Sequence, residues 1–226
     1  MHVRRSRQVQ QWTEVQIRPI RRKAGAWFYN AACKSAKVFE RAGTRIGYLH
    51  LWSSCGDEYE DLLREQIGRG ILQDTDAPLL DLRGLMGGAS PYLLNVFCPS
   101  APTLEYTYRD GSQERLDFQW RKPVAFLINE YTRSGNEVLA HGIKKYGIGE
   151  LVGTPSAGAV LAGRPYLLPD GSVLYLPIAD VSVDGQRLEG NPMQPTIHSD
   201  FVLPYANGHD GQLERGLDLL SKPNTL

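Results

Sequence analysis

Apolar positions along the chain alternate with polar ones in some stretches and recur at intervals of three and four in others, so strands and helices can be told apart by period. Trp12 to Arg18 alternates and is closed by Pro19, which predicts one short strand with no evident partner. After a linker carrying Gly and Ala, Arg45 to Trp52 (RIGYLHLW) predicts a second strand, and Leu62, Leu63 and Ile67 place a helix over Tyr59 to Ile67. Pro78 to Leu82 is a buried-strand run that ends in the Gly-rich RGLMGG, and Pro91 to Cys98 returns to helical spacing through Leu94 and Phe97. Lys122 to Ile128 predicts a third buried strand. Ser134 to Tyr146 predicts a helix with Val138, Leu139 and Ile143 inward, Lys144 and Lys145 in its last turn, and Gly147 as its cap. Glu150 to Gly153 adds a short strand, and Tyr166 to Val183 a hairpin turned by Pro169, Asp170 and Gly171. Strands alternating with helices imply an α/β layer fold.

Composition narrows the partners. The 226 residues carry 25 basic and 25 acidic side chains, so no global field draws the chain to nucleic acid or an anionic membrane. Basic residues crowd only the beginning, at Arg4, Arg5, Arg7, Arg18, Arg21, Arg22 and Lys23, as a solvated segment. Cys33, Cys55 and Cys98 are far apart, odd in number and without metal-ligand spacing, which predicts free or buried thiols and no metal site; no cofactor is expected. No apolar run reaches the roughly 20 residues that span a bilayer, and no signal-like segment follows Met1; a soluble chain is expected, with its compartment left open.

Two strand-to-helix turns carry candidate chemistry, because open α/β sheets build sites there. In Asp81-Leu82-Arg83-Gly84-Leu85-Met86-Gly87-Gly88 the paired glycines let backbone N–H groups approach a ligand, although a Gly pair is also an ordinary tight turn. In Asn129-Glu130-Tyr131-Thr132-Arg133-Ser134-Gly135-Asn136-Glu137 a serine begins a helix, where the macrodipole favours negative charge, and Gly135 offers a sterically open amide. Ser134 and Glu137 equally fit the Ser-x-x-Glu capping box, so a structural role competes with a nucleophilic one.

The series GYLHLW, DLRGLMGG, INEYTRSGNEVLA, LVGTPSAGAVLAG, LPDGSVLYLP and DGQRLEGNPMQP resembles, in order, the catalytic domain of the tail-specific and C-terminal-processing serine proteases, closest to their tricorn-like branch. The resemblance runs from Gly43 to Leu220. It implies a crotonase/ClpP-like α/β core over 43–226, with 1–42 as a basic tail, the last strand of a PDZ-like domain and a linker. It implies Ser134 as nucleophile and the Gly87 and Gly135 amides as oxyanion hole. Where the processing branch has a lysine base, this chain has Ala159. The tricorn branch uses a histidine oriented by a serine and a glutamate, and the glutamate matches Glu189 in Leu188-Glu189-Gly190; downstream, Pro192-Met193-Gln194-Pro195-Thr196 departs from the family pattern. The upstream motif that holds that histidine has no match here, so the chain is expected to be truncated. His50, in its strand, is a candidate base; His141 points along its helix, and His198 and His209 are expected at the surface.

The implied activity is hydrolysis of peptide or unfolded-protein substrates, with relatives often exported and a homo-oligomer left open. A non-catalytic binding module on the same fold, as in interphotoreceptor retinoid-binding proteins, is the alternative. An acyl-CoA enzyme on the crotonase fold fits less well, because no basic cluster is placed for a nucleotide phosphate.

Overall fold

A computed structural model describes residues 2–3, 12–19, 24–84, 87–88, 90–98, 102–202, 206 and 208–221. The basic cluster other than Arg18 lies outside them. The elements in chain order begin with β1 (His2–Val3), β2 (Thr13–Glu14), α1 (Ala24–Ser35), β3 (Lys37–Arg41), β4 (Thr44–His50), α2 (Asp57–Gly68) and β5 (Ala77–Asp81). A 3₁₀ helix over Pro91–Phe97 precedes β6 (Leu104–Thr107), β7 (Gln113–Leu116), β8 (Ala125–Ile128), α3 (Gly135–Lys145) and β9 (Glu150–Gly153). Then come β10 (Ala162–Leu167), β11 (Val173–Ala179), β12 (Ser182–Val183), β13 (Gln186–Arg187), β14 (Ile197–His198) and α4 (Gly211–Leu220).

The central sheet has six strands in the order β14-β9-β8-β5-β4-β3, and only the β3–β4 pair is antiparallel. The inner strands β4, β5, β8 and β9 are buried along most of their length on both faces, as parallel strands covered on both sides must be. Leu49, Leu80, Phe126, Ile128 and Leu151 face one way, into a core with Leu63 of α2 and Leu139 and Ile143 of α3. Ile46, Leu79, Ala125, Leu127 and Val152 face the other way, against Leu217 of α4. Period-two alternation thus sorts one sheet into two cores, which is the α/β layer architecture expected.

Several boundaries differ from the sequence reading. Residues 24–41, expected as linker, are α1 and β3: Tyr29, Ala32 and Cys33 share one helical face, Ala32 is fully buried, and β3 pairs with β4. A domain boundary at 42/43 would cut the β3–β4 turn. The strand expected over Trp12 to Arg18 shrinks to Thr13–Glu14, paired with His2–Val3. The Pro91 to Cys98 segment is a 3₁₀ helix, started by Ser90, whose side chain accepts the Tyr92 N–H at 3.3 Å. The expected hairpin is β10–β11, ending at Ala179; Val183 belongs to the next small hairpin. Helix α3 begins and ends as expected, with Gly147 at φ 61° and the Ile148 N–H bonded to the Ile143 carbonyl at 3.0 Å.

Candidate functional site

Because β5 and β8 are adjacent parallel strands, the turns that leave their C-terminal ends come together. A Cβ on Gly87 would sit 2.4 Å from the Ser134 Cβ and 2.8 Å from its Oγ, so no residue larger than glycine fits there without displacing the serine. The Ser134 side chain is thus held against the backbone of the Gly-rich turn. Gly135 is the first residue of α3, and neither its N–H nor that of Gly87 donates a hydrogen bond among the described residues. Both sequence-predicted turns meet at one place, with two sterically open amides beside one hydroxyl-bearing side chain.

Ser134 itself adopts φ 56°, ψ −126°, a conformation that costs a non-glycine residue about 1–3 kcal/mol. What holds it is Glu137. This carboxylate is fully buried and accepts four hydrogen bonds: Oε2 from the Ser134 N–H at 3.1 Å and the Ala159 N–H at 2.9 Å, Oε1 from Ser156 Oγ at 2.5 Å and the Gly158 N–H at 2.7 Å. The Ser134 N–H also reaches the Ala159 carbonyl at 2.9 Å, and the Ala157 N–H the Thr132 carbonyl at 2.9 Å. The capping-box reading of Glu137 identified one of these four bonds. The other three tie the serine turn to the 154–160 loop, and nothing local in the sequence signals them.

Glu189 accepts the Val160 N–H at 2.6 Å and the Leu161 N–H at 3.1 Å, both on Oε2. Its Oε1 receives no hydrogen bond among the described residues, and no imidazole contacts it. Ala159, whose carbonyl accepts the Ser134 N–H, presents only a methyl group. Among the described residues no histidine or lysine hydrogen-bonds Ser134, and no cluster of His, Cys, Asp or Glu is arranged to hold a metal ion.

His50 is engaged elsewhere. Its Nε2 lies 2.6 Å from the Arg83 carbonyl, so that nitrogen donates, and its Nδ1 faces Asp81 Oδ2 at 3.6 Å. The ring stacks on Trp52 with centroids 3.7 Å apart. Burial holds its pKa below the ordinary 6.5, against the pull of Asp81. Asp81 is fully buried; burial alone would raise its pKa, but His50 and Arg83 outweigh that and hold the carboxyl below its usual range. Arg83 in turn bridges Asp81 to Asp210, the residue that caps α4. His141 bonds Asp184 at 3.1 Å rather than any group at the Ser134 turn. His198 is exposed beside Asp200, and His209 is exposed.

The family model described as Peptidase family S41 matches residues 45–199. The carboxyl-terminal-processing protease of Synechocystis is 26% identical over 171 residues, 73% of this chain and 38% of that protein. The tricorn protease homolog of Saccharolobus solfataricus is 26% identical over 195 residues, covering 82% of this chain and 18% of its own. The chain therefore spans well under half the length of these two relatives. The crystal structure of the tricorn protease superposes with a TM-score of 0.61 at 21% identity, over 88% of this chain, a likeness of fold. No helix among the described residues is long and apolar enough to cross a membrane.

Proposed function

The chain belongs to peptidase family S41, and we propose that it supplies the nucleophile and oxyanion hole of a serine peptidase acting on peptide or unfolded-protein substrates. The observation that carries this is the fit of Ser134 against Gly87 with the Gly135 amide beside it. Ser134 Oγ attacks the scissile carbonyl and loses its proton to a base, and the Gly87 and Gly135 N–H groups hold the oxyanion of the tetrahedral adduct. Collapse expels the amine, and water then hydrolyses the acyl-enzyme. A serine hydroxyl is a weak nucleophile without a base, and no described residue serves as one. All five histidines of the sequence are among the described residues and none of them hydrogen-bonds Ser134, so the base is taken to be a histidine from outside these 226 residues, with Glu189 keeping its unengaged Oε1 to orient that imidazole.

Hydrolysis of a quenched fluorescent peptide of unstructured sequence tests this, using protein expressed from its full reading frame. Turnover that disappears in Ser134→Ala is expected; turnover unchanged in that variant would refute the assignment. A non-catalytic peptide-binding module is the second reading, favoured by one observation: among the described residues no histidine or lysine hydrogen-bonds Ser134, and Ala159, where the resemblance to the processing branch implies a lysine, offers no base. Peptide binding without any turnover, in wild type and Ser134→Ala alike, would select it.

A further inference from the structure

A cavity of about 520 Å³ opens at the same end of the sheet, between α1, the ends of β4, β5 and β8, and the side chains of Phe201 and Asp210. Five aromatic side chains line it: Phe28, Tyr48, Trp52, Tyr131 and Phe201. One face of Trp52 is covered by the His50 ring, while the residue is 37% exposed. Tyr131 and Phe201 meet edge to face at 6.4 Å, and Tyr131 is 43% exposed.

The polar side of the cavity is Arg83, Asp210, His50 and Asn129, with the fully buried Asp81 behind Arg83 in the same ion network. Both Asp81 and Asp210 are held below the usual carboxylate range, so both are ionised at neutral pH; burial would raise Asp210, but the Arg83 guanidinium and the Leu213 N–H outweigh it. Burial keeps His50 neutral there. Two carboxylates against one guanidinium leave an excess of negative charge.

Hydrogen-bond capacity sharpens the sign. All five donors of Arg83 are spent: Nε and one Nη2 proton on Asp81, the other Nη2 proton and one from Nη1 on Asp210, and the last Nη1 proton on Gln212 at 3.1 Å. An anion entering the cavity would find no donor on this arginine. Asp81 is saturated as well, with Oδ1 taking the Arg83 N–H and Nε, and Oδ2 taking Tyr48 Oη and Arg83 Nη2. Asp210 differs. Its Oδ1 accepts from Arg83 and from the Leu213 N–H, but its Oδ2 accepts, among the described residues, only from Arg83 at 2.7 Å, and its side chain is 31% exposed. One lone pair of that oxygen is left for a ligand.

We infer that this cavity binds an organic cation of the class of an arginine side chain in a polypeptide, its guanidinium flat on the open face of Trp52 and donating to Asp210. A planar, weakly hydrated cation gains both from the aromatic faces and from the remaining carboxylate lone pair. Gly84 and Tyr131, which line the cavity, belong to the same two turns as Gly87 and Ser134, so a polypeptide lying across the sheet end would meet both places. Binding here does not depend on Ser134 being a nucleophile.

Isothermal titration of the full-length protein with Nα-acetyl-arginine amide, its neutral isostere Nα-acetyl-citrulline amide, and Nα-acetyl-glutamate amide tests the inference without reference to turnover. Saturable binding of the arginine probe is expected, with the citrulline probe weaker by about tenfold or more and the glutamate probe not bound. Trp52→Ala and Asp210→Asn should each weaken the arginine probe by about tenfold. Because Asp210→Asn also touches the α4 cap, Tyr131→Ala, at an exposed position, serves as the variant that leaves the fold intact and should weaken binding too. Equal affinity for arginine and citrulline probes, preference for glutamate, or no binding up to about 10 mM would overturn it.

Discussion

Glu137 is the residue on which the Ser134 geometry depends most. Four donors converge on one buried carboxylate, and two of them are backbone N–H groups of the neighbouring loop. Replacing it with Gln turns two acceptor sites into donors that face Ser134, Ser156 or the loop amides. Glu137→Gln should therefore cost about 3 kcal/mol of stability, read by urea unfolding, because two buried donors lose their acceptor and meet the amide N–H groups instead. It should also slow acylation of Ser134 more than a generic destabilisation would, since the strained φ of Ser134 loses a restraint. His50 carries a different prediction. Its folded pKa lies below the unfolded value of about 6.5, so the unfolded chain takes up a proton that the folded chain refuses. Stability is then full above about pH 6.5 and falls as the pH drops below it, with Asp81 and Asp210 adding a second loss below about pH 4 in the same direction. Thermal unfolding should show the first fall in wild type, and His50→Gln, which keeps a donor for the Arg83 carbonyl, should lack it. An unchanged first fall in that variant would assign it to another group.

At the scale of elements, the two turns were legible because each couples a strand-ending apolar run to glycine and to a helix start. Their meeting was not, since it follows from β5 lying beside β8, a pairing between strands more than 40 residues apart. Gly87→Ala probes that meeting directly. The added methyl would press on the Ser134 side chain and disturb one proposed oxyanion donor, so activity should fall by roughly 100-fold, with a lower melting temperature as the Ser134 turn shifts. Gly43→Ala, at φ 80° with nothing nearby, should cost stability and leave activity alone. Helix α1 escaped the sequence reading because its inward residues, Tyr29, Ala32 and Cys33, sit among small residues and Trp27, which is exposed and blurs the apolar stripe. Strand β3 escaped because its charged ends, Lys37 and Arg41, suit a sheet edge, where alternation is weak. Helix α4 is amphipathic and capped by Asp210, but its burying partner, the second face of the sheet, is visible only once the strands are ordered.

For the molecule as a whole, a parallel sheet covered on both faces gathers the candidate chemistry at one end, as the crevice rule for open sheets requires. His50, Asp81 and Ile128 close β4, β5 and β8 there, and the Ser134 turn, the Gly87 turn and the aromatic cavity all follow from those ends. The order of motifs along the chain carried the family resemblance, whereas the buried ion network of Asp81, Arg83 and Asp210 joins residues from the two ends of the core and had no local signature. The most direct test of the central claim is covalent labelling by a fluorophosphonate, applied to protein from its full reading frame and mapped by peptide mass spectrometry. A single adduct on Ser134, lost in Ser134→Ala and strongly slowed in Gly87→Ala, is the expected result; an adduct on another residue, or none in a folded and peptide-binding protein, would contradict the assignment of Ser134 as nucleophile.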